Sequence, residues 1–435
     1  MLRAIFLIDG EHYPPVVLEA MEAVGETLGA EGVAAAFLGG TEKLKAGTDY
    51  GLPLVHGEDP VSAVRKALSE HGAEIVVDLS DEPVVGYRER MRIASEALAA
   101  GARYVGADFE LRPPELHPVS EKPSLAVIGT GKRVGKTAIS GYLARLLARE
   151  GFDPGVVSMG RGGPPHPEVI EGHKLVVGSD YLLEALGRGA HAASDYYETA
   201  ALSRVTTVGC RRCGGGLAGE PFVSNVLEGA ALANTLNTGI TVFDGSGSAV
   251  PPVEVDRRVL VAGAHQDIEY IAGFLGTYRV LISDVLLLTM SEEPMADERK
   301  VAEITDRVRE IKPDIEVIPT VFRPRPVGDI SGRRVAYVST APPAVLPKLA
   351  AHLEERYGCE VVGASGNLSD RRRLAEDLAG MDEADAYLTE IKAAAVDVVT
   401  RRGAEEGKPV MYCDNDPVGE GLDRVLSGLA RAAIG

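Results

Sequence analysis

Apolar strands alternate with amphipathic helices through most of the chain, one strand runs into the glycine-rich turn 129–137 and on into a helix, and a separate alternating unit precedes a proline-rich stretch. Together these features predict an α/β protein, a parallel-sheet P-loop NTPase core preceded by a smaller Rossmann-like α/β domain. The length of 435 residues accommodates roughly three domains. Residues 1–120 are expected to form an N-terminal α/β substrate-binding domain and 121–333 the P-loop domain. Residues 334–435 form a C-terminal α/β block that either continues the central sheet or stands alone.

In the first unit, strands are expected near 3–8, 33–38, 74–79 and 103–107, and Val17, Met21, Val24 and Leu28 recur at helical spacing between the first two. Prolines 113, 114, 118 and 123 punctuate a linker. The second unit opens with Leu125-Ala126-Val127-Ile128. Ile139, Leu143, Leu146 and Leu147 then mark one face of a helix that Gly151 ends. Further strands are expected at 155–158, 239–243, 259–263, 285–289 and 316–322, and in the last block near 335–338, 360–363, 386–388 and 409–412.

Composition narrows the function classes. An apolar fraction of 45% and a charged fraction of 25% fit a globular protein. No run approaches the ~18 apolar residues that span a bilayer. The first residues resemble a β-strand rather than a secretory signal, and four cysteines suit a reducing compartment, so a cytoplasmic location is expected. A net charge of −19 argues against nucleic-acid and membrane partners, and an anionic substrate must therefore meet a local basic cluster. Whether the chain forms a homo-oligomer is left open.

The loop Gly129-Thr130-Gly131-Lys132-Arg133-Val134-Gly135-Lys136-Thr137, with Ala138 after it, carries the most specific chemistry. Backbone N–H groups and the positive end of the helix dipole face a nucleotide's phosphates, Lys136 reaches the β/γ-phosphates, and Thr137 offers its hydroxyl to Mg²⁺. The usual spacing has glycine where this chain has Thr130. Lys132 lies one place from the second lysine of deviant Walker loops. Asp244, leaving the apolar run 240–243 into a glycine turn, is the expected Mg²⁺ partner, unless it only starts that turn. With no Asn-Lys-X-Asp guanine motif, the cofactor expected is ATP with Mg²⁺.

Other strand ends supply further candidates. Arg161, between glycines after strand 155–158, either neutralises a transferring phosphoryl group or is a solvated loop arginine. Asp9 and His12 leave the first strand together. Asp78, Asp81 and Glu82 close the third strand, with Arg88 and Arg90 following. Cys210-Arg211-Arg212-Cys213 holds one Cys-X-X-Cys, short of the four ligands of a structural zinc site. Beside the glycines at 214–216, Arg211 and Arg212 are expected instead to form an anion-binding loop that closes over the substrate. Phe322 to Pro326 is a candidate border for the adenine.

With these residues in view, the chain resembles the cyclic 2,3-diphosphoglycerate synthetase family. The resemblance rests on Ile8-Asp9-Gly10-Glu11-His12-Tyr13-Pro14-Pro15-Val16, the loop 129–137, Ser158-Met159-Gly160-Arg161-Gly162-Gly163-Pro164, the stretch Thr207–Gly216, and Val242–Gly247. The phosphate loop by itself is similar to that of dethiobiotin synthetase. The family resemblance implies ATP-driven closure of 2,3-diphosphoglycerate into a cyclic phosphoanhydride, with phosphorylation of 2-phosphoglycerate as an associated activity. That chemistry asks for Lys136, Lys132 or Arg133, and Arg161, with the N-terminal unit clasping a small, highly anionic molecule. The catalytic residues expected are Lys132, Lys136 and Arg161, and the strand ends and the 210–216 stretch offer Asp9, His12, Arg88, Arg211 and Arg212 as substrate contacts. Two rivals stand beside it: an ATP-dependent carboxylate-activating ligase of the dethiobiotin synthetase type, and a nucleotide-switched metallochaperone carrying metal on Cys210 and Cys213.

Overall fold

The computed structural model describes residues 1–43, 48–174, 179–180, 183–184, 195–391 and 395–435. They divide into two compact units, and no described helix is long and apolar enough to cross a membrane.

The first unit comprises residues 1–115 together with 266–283 and 304–315, a return of the chain that a contiguous boundary at 120 does not contain. Its sheet consists of β1 (Leu2–Ile8), β2 (Ala30–Phe37), β3 (Leu54–Val55), β4 (Ile75–Asp78), β5 (Arg103–Val105) and β6 (Glu110–Leu111), in the order β3-β2-β1-β4-β5-β6. All pairs are parallel except β5–β6. The buried run Ala4 to Ile8 makes β1 the central strand, flanked by β2 on one side and β4 on the other. Helix α1 (Pro14–Leu28) starts on two prolines, which suit the first turn, and ends on Gly29 in the left-handed conformation. It buries Val17 and Met21 against Phe6, Ile8 and Val77. Asp59 and Ser62 cap α2 (Pro60–His71) reciprocally. Helix α3 (Tyr87–Ala99) packs against the returning segment, where Ser95 Oγ donates to the Phe274 carbonyl at 3.3 Å.

The second unit holds the phosphate loop. Its main sheet runs β11 (Val223–Ser224), β10 (Thr206–Cys213), β8 (Pro154–Gly160), β12 (Ile240–Asp244), β7 (Ser124–Gly129), β13 (Arg257–Gly263), β14 (Val285–Thr289), β15 (Glu316–Pro319), with β9 (Glu168–Glu171) also on β10. From β10 to β15 every neighbouring pair is parallel, as expected for strands buried on both faces. Helix α4 (Lys136–Arg149) follows β7. It places Ile139, Leu143, Leu146 and Leu147 in one core with Leu125, Val127 and Val242. The C-terminal helix Leu422–Ile434 closes that core with Leu422, Val425, Leu426 and Ala430.

The C-terminal block has a sheet of its own within the second unit. The order is β16 (Val321–Pro326), β20 (Val410–Val418), β19 (Ala386–Thr389), β17 (Arg334–Val338), β18 (Glu360–Ser365), with β16 antiparallel to β20. The expected strand 316–322 is therefore two strands, β15 in the main sheet and β16 in this one, broken at Thr320. Pro324 and Pro326 are tolerated in β16 because it is an edge strand. Arg145 of α4 joins the two sheets, bonding Asp414 and Asp416 at 2.5 Å each, and Arg325 shares both aspartates.

Candidate active site

Parallel register brings the candidate residues of the second unit to one edge. Val127 pairs with Asp244, Asp244 with Ser158, and Gly160 with Arg211. The loops leaving β7, β12, β8 and β10 consequently emerge side by side at the carboxyl end of the sheet, where α/β proteins bind ligands.

The phosphate loop is built by backbone conformation as much as by side chains. Thr130 has no positive φ, so the glycine of the usual spacing is not required there; its N–H donates to the Val261 carbonyl at 3.1 Å. The left-handed positions are Arg133 (φ 64°) and Gly135 (φ 89°). Holding Arg133 there costs on the order of 1 kcal/mol, the kind of strain that collects at ligand sites. A Cβ on Gly135 would also lie 2.3 Å from the Phe322 ring, so Phe322, the proposed adenine neighbour, packs on the loop itself. Thr289 Oγ1 fixes the far side by donating to the Val134 carbonyl at 2.8 Å.

Lys136 is buried, and its Nζ donates to the Gly131 carbonyl at 2.9 Å across the turn. Its stem passes so close to Gly129 that a Cβ there would meet Cδ at 2.7 Å. Burial pulls the ammonium below its ordinary range, while the negative charges of Asp244 and Asp195 oppose that shift. Asp244 is also buried, and its carboxyl is pushed up, first by burial and then by Asp195. Ser140 Oγ donates to Asp244 Oδ1 at 2.8 Å. Ser140 lies one turn beyond Thr137 on the same helix face, so this bond sets Asp244 against the first turn of α4. The Ser158 hydroxyl, in register with Asp244, is buried with no hydrogen-bond partner among the described residues. A desolvated carboxylate, a threonine hydroxyl and an orphaned serine hydroxyl form a hard-oxygen environment suited to Mg²⁺, which keeps several waters and phosphate oxygens as ligands.

Around this centre the structure gathers cations. Lys132 and Arg133 are exposed on the loop, and Arg161 is exposed beyond β8. Arg212 donates to the carbonyls of Gly214 (2.6 Å) and Ser246 (2.7 Å). Asp195, at the start of the helix Asp195–Ser203, feels the charges of Lys136, Arg161, Arg212 and Lys132, though burial dominates and raises its carboxyl.

The stretch Cys210–Cys213 is not a loop. It ends β10, because pairing with β8 on one side and β11 on the other holds it extended, and the turn comes only at the glycines that follow. Cys210 is fully buried and packs its Sγ against Gly229, and burial pushes its thiol well up, whereas Cys213 is exposed. The two thiols share no environment, so the metal-carrying reading loses its basis. Arg211 is exposed, and its backbone is held by Asn225, whose Oδ1 accepts from Arg211 N at 2.7 Å. The Asn225 amide donates to the carbonyls of Pro164 and Pro165, tying the Arg161 loop to β10. Asn225, Ser140 and Asp195 were not foreseen. Only Ser140 carried a signal, its three-residue offset from Thr137.

In the first unit the order reverses between β1 and β4, and Asp9 and Asp81 follow those two strands. Asp9 is fully buried. Its Oδ1 accepts from Glu11 N, His12 N and His12 Nδ1, and its Oδ2 from Asp81 N at 2.8 Å. It therefore orients His12 and has no surface to offer a ligand. With Nδ1 donating to the carboxylate, His12 Nε2 is the ring nitrogen left to meet a ligand. Arg90 reaches back to this strand end, its Nε 3.3 Å from Asp78 and its Nη2 donating to the Ser80 carbonyl. Arg88 does not; it is largely exposed, 3.7 Å from Glu269.

Comparison with known proteins settles the kinship. Family models for the N-terminal, P-loop and C-terminal domains of cyclic 2,3-diphosphoglycerate synthetase match residues 3–112, 124–321 and 326–416. The chain belongs to the cyclic 2,3-diphosphoglycerate synthetase family. Within it, the synthetase of Rubrobacter xylanophilus is 78% identical over 99% of this chain and 98% of its own. That of Methanothermus fervidus is 47% identical over 96% and 93% respectively. Among solved structures, LpxK from Aquifex aeolicus in complex with ATP is similar at a TM-score of 0.41 and 15% identity, covering 73% of this chain and 90% of its own.

Proposed function

We propose that this chain makes cyclic 2,3-diphosphoglycerate from 2,3-diphosphoglycerate at the expense of ATP, releasing ADP and inorganic phosphate. The observation that carries the reading is the cluster of Lys132, Lys136, Arg161 and Arg212 around the buried carboxylate of Asp195, which with Lys136 bears on Asp244, in a protein whose net charge is −19. The relatives that match along the full chain bear the name of that synthetase.

In this reading Gly129 to Ala138 hold the triphosphate, with Lys136 leaving the Gly131 carbonyl to pair with the terminal phosphates. A substrate phosphate oxygen attacks the γ-phosphorus, the bond to the β-phosphate oxygen breaks, and ADP departs. The second substrate phosphate then attacks the substrate's phosphorus, the anhydride forms, and inorganic phosphate leaves. Lys132, Lys136 and Arg161 act by neutralising charge as it moves onto the leaving oxygens. The rate comes from holding two phosphates side by side rather than from a strong base. Thr137 and Asp244 would hold Mg²⁺, which supplies further charge neutralisation at the β- and γ-phosphates when bound. Substrate recognition falls to Arg212 and Arg211 in this unit. Taken by itself, the first unit offers His12, which Asp9 positions, as a group that would meet an anion.

The test is phosphorus NMR of the protein incubated with Mg·ATP and 2,3-diphosphoglycerate. Cyclic product with ADP is expected from the wild type, and a loss of about 1,000-fold from Lys136→Ala with the thermal melt unchanged. ATP consumed with no cyclic product, or full activity in Lys136→Ala, overturns the reading.

A further inference from the structure

Two arginine pairs in the second unit differ in what neutralises them. Arg145 and Arg325 meet over Asp414 and Asp416, which bond to both, so that pair is internally compensated. Arg161 and Arg212 meet over Gly247. A Cβ built on that glycine would lie 2.7 Å from an Arg161 Nη2 and 3.1 Å from an Arg212 Nη2. Among the described residues, both hydrogen bonds of Arg212 go to backbone carbonyls, its buried Nε has no hydrogen-bond partner, and no carboxylate forms an ion pair with either guanidinium. Asp195 reaches both only through space. Like charges held this close disfavour each other, and Arg212 is correspondingly lowered by burial and by Arg161.

The surroundings are built to keep the pair in place. The Ser246 carbonyl anchors Arg212, Asn225 ties the Arg161 loop to β10, and Gly163 sits so close to the Cys210 carbonyl that no side chain fits there. Gly247 is left-handed at φ 61°, and any side chain on it would enter the space the two guanidiniums share.

Resting on the proposed reaction, we infer that Arg161 and Arg212 form a single clamp over Gly247 for one phosphate monoester of the substrate, beside the phosphate site of Lys136, and that this clamp selects a diphosphorylated over a monophosphorylated glycerate. Two planar forks suit the three oxygens of a phosphate dianion, and a bound dianion removes the mutual repulsion of the pair. Arg211 is exposed and is not one of the two guanidiniums that meet at Gly247.

The experiment compares wild type, Arg212→Lys and Gly247→Ala by calorimetric titration with 2,3-diphosphoglycerate, 2-phosphoglycerate and ADP, each alone. Arg212→Lys keeps the charge and loses the fork. Gly247→Ala keeps both arginines and puts a methyl group between them. Each variant is expected to bind 2,3-diphosphoglycerate about 100-fold more weakly, to bind ADP within about 3-fold of wild type, and to lose most of the preference over 2-phosphoglycerate. Equal weakening of ADP, or unchanged affinity for 2,3-diphosphoglycerate in a folded variant, overturns the clamp. Should Arg212→Lys fail to fold, Gly247→Ala decides alone. Failure of the proposed reaction would appear separately, as absence of cyclic product from the wild type.

Discussion

Asp9 and Asp244 occupy the same kind of place, each at the carboxyl end of a buried parallel strand and each fully shielded from solvent, yet they are treated in opposite ways. Asp9 is saturated: three backbone N–H groups and the His12 ring donate to it. Among the described residues Asp244 accepts one hydrogen bond, from Ser140, and burial together with Asp195 raises its carboxyl. A carboxylate satisfied by its own loop holds structure. One that is desolvated and left largely to electrostatics holds something that arrives later. The contrast separates positioning from function more sharply than position along a strand does.

Three experiments press on that contrast. Asp244→Asn should lower kcat about 100-fold, because an amide oxygen is a far weaker partner for Mg²⁺, while the melting temperature stays level or rises as a desolvated charge is removed. A drop in stability with activity retained would make Asp244 structural. Asp9→Asn should do the reverse, costing about 1–3 kcal/mol in denaturant unfolding, since its amide group must face a backbone N–H that now has no acceptor. An Asp9→Asn protein as stable as wild type would erase the distinction. The smallest effect concerns pH. Because the folded value of Asp244 is raised, the folded protein keeps a proton there that the unfolded chain gives up near pH ~4, so the stability tied to that proton is lost as pH rises through the folded value. Mg²⁺ binds the ionised form and should raise the melting temperature more at pH about 8 than at about 5.5. Equal gains at both would separate Asp244 from the metal.

The central strands were legible because they are apolar runs bounded by glycine, and the phosphate loop because strand, turn and helix all agreed. What was hidden had physical reasons. Gly209 and two arginines interrupt β10, so its pairing with β8 and β11 cannot be seen in the pattern. Nothing local shows that Val321 leaves one sheet for another, or that 266–283 returns to the first unit, because both depend on contacts distant in sequence. Asn225 lies 61 and 60 residues from the two carbonyls it ties down, and no spacing rule reaches that far. Arg88 and Arg90 look equivalent on paper. Only the fold shows that Arg90 turns back to Asp78 while Arg88 faces solvent.

A crystal structure with Mg²⁺ and a non-hydrolysable ATP analogue tests the account most directly. The terminal phosphate should rest on the turn between β7 and α4, with Lys136 Nζ moved from the Gly131 carbonyl to a phosphate oxygen. A nucleotide bound elsewhere, with Lys136 still 2.9 Å from Gly131, would contradict it.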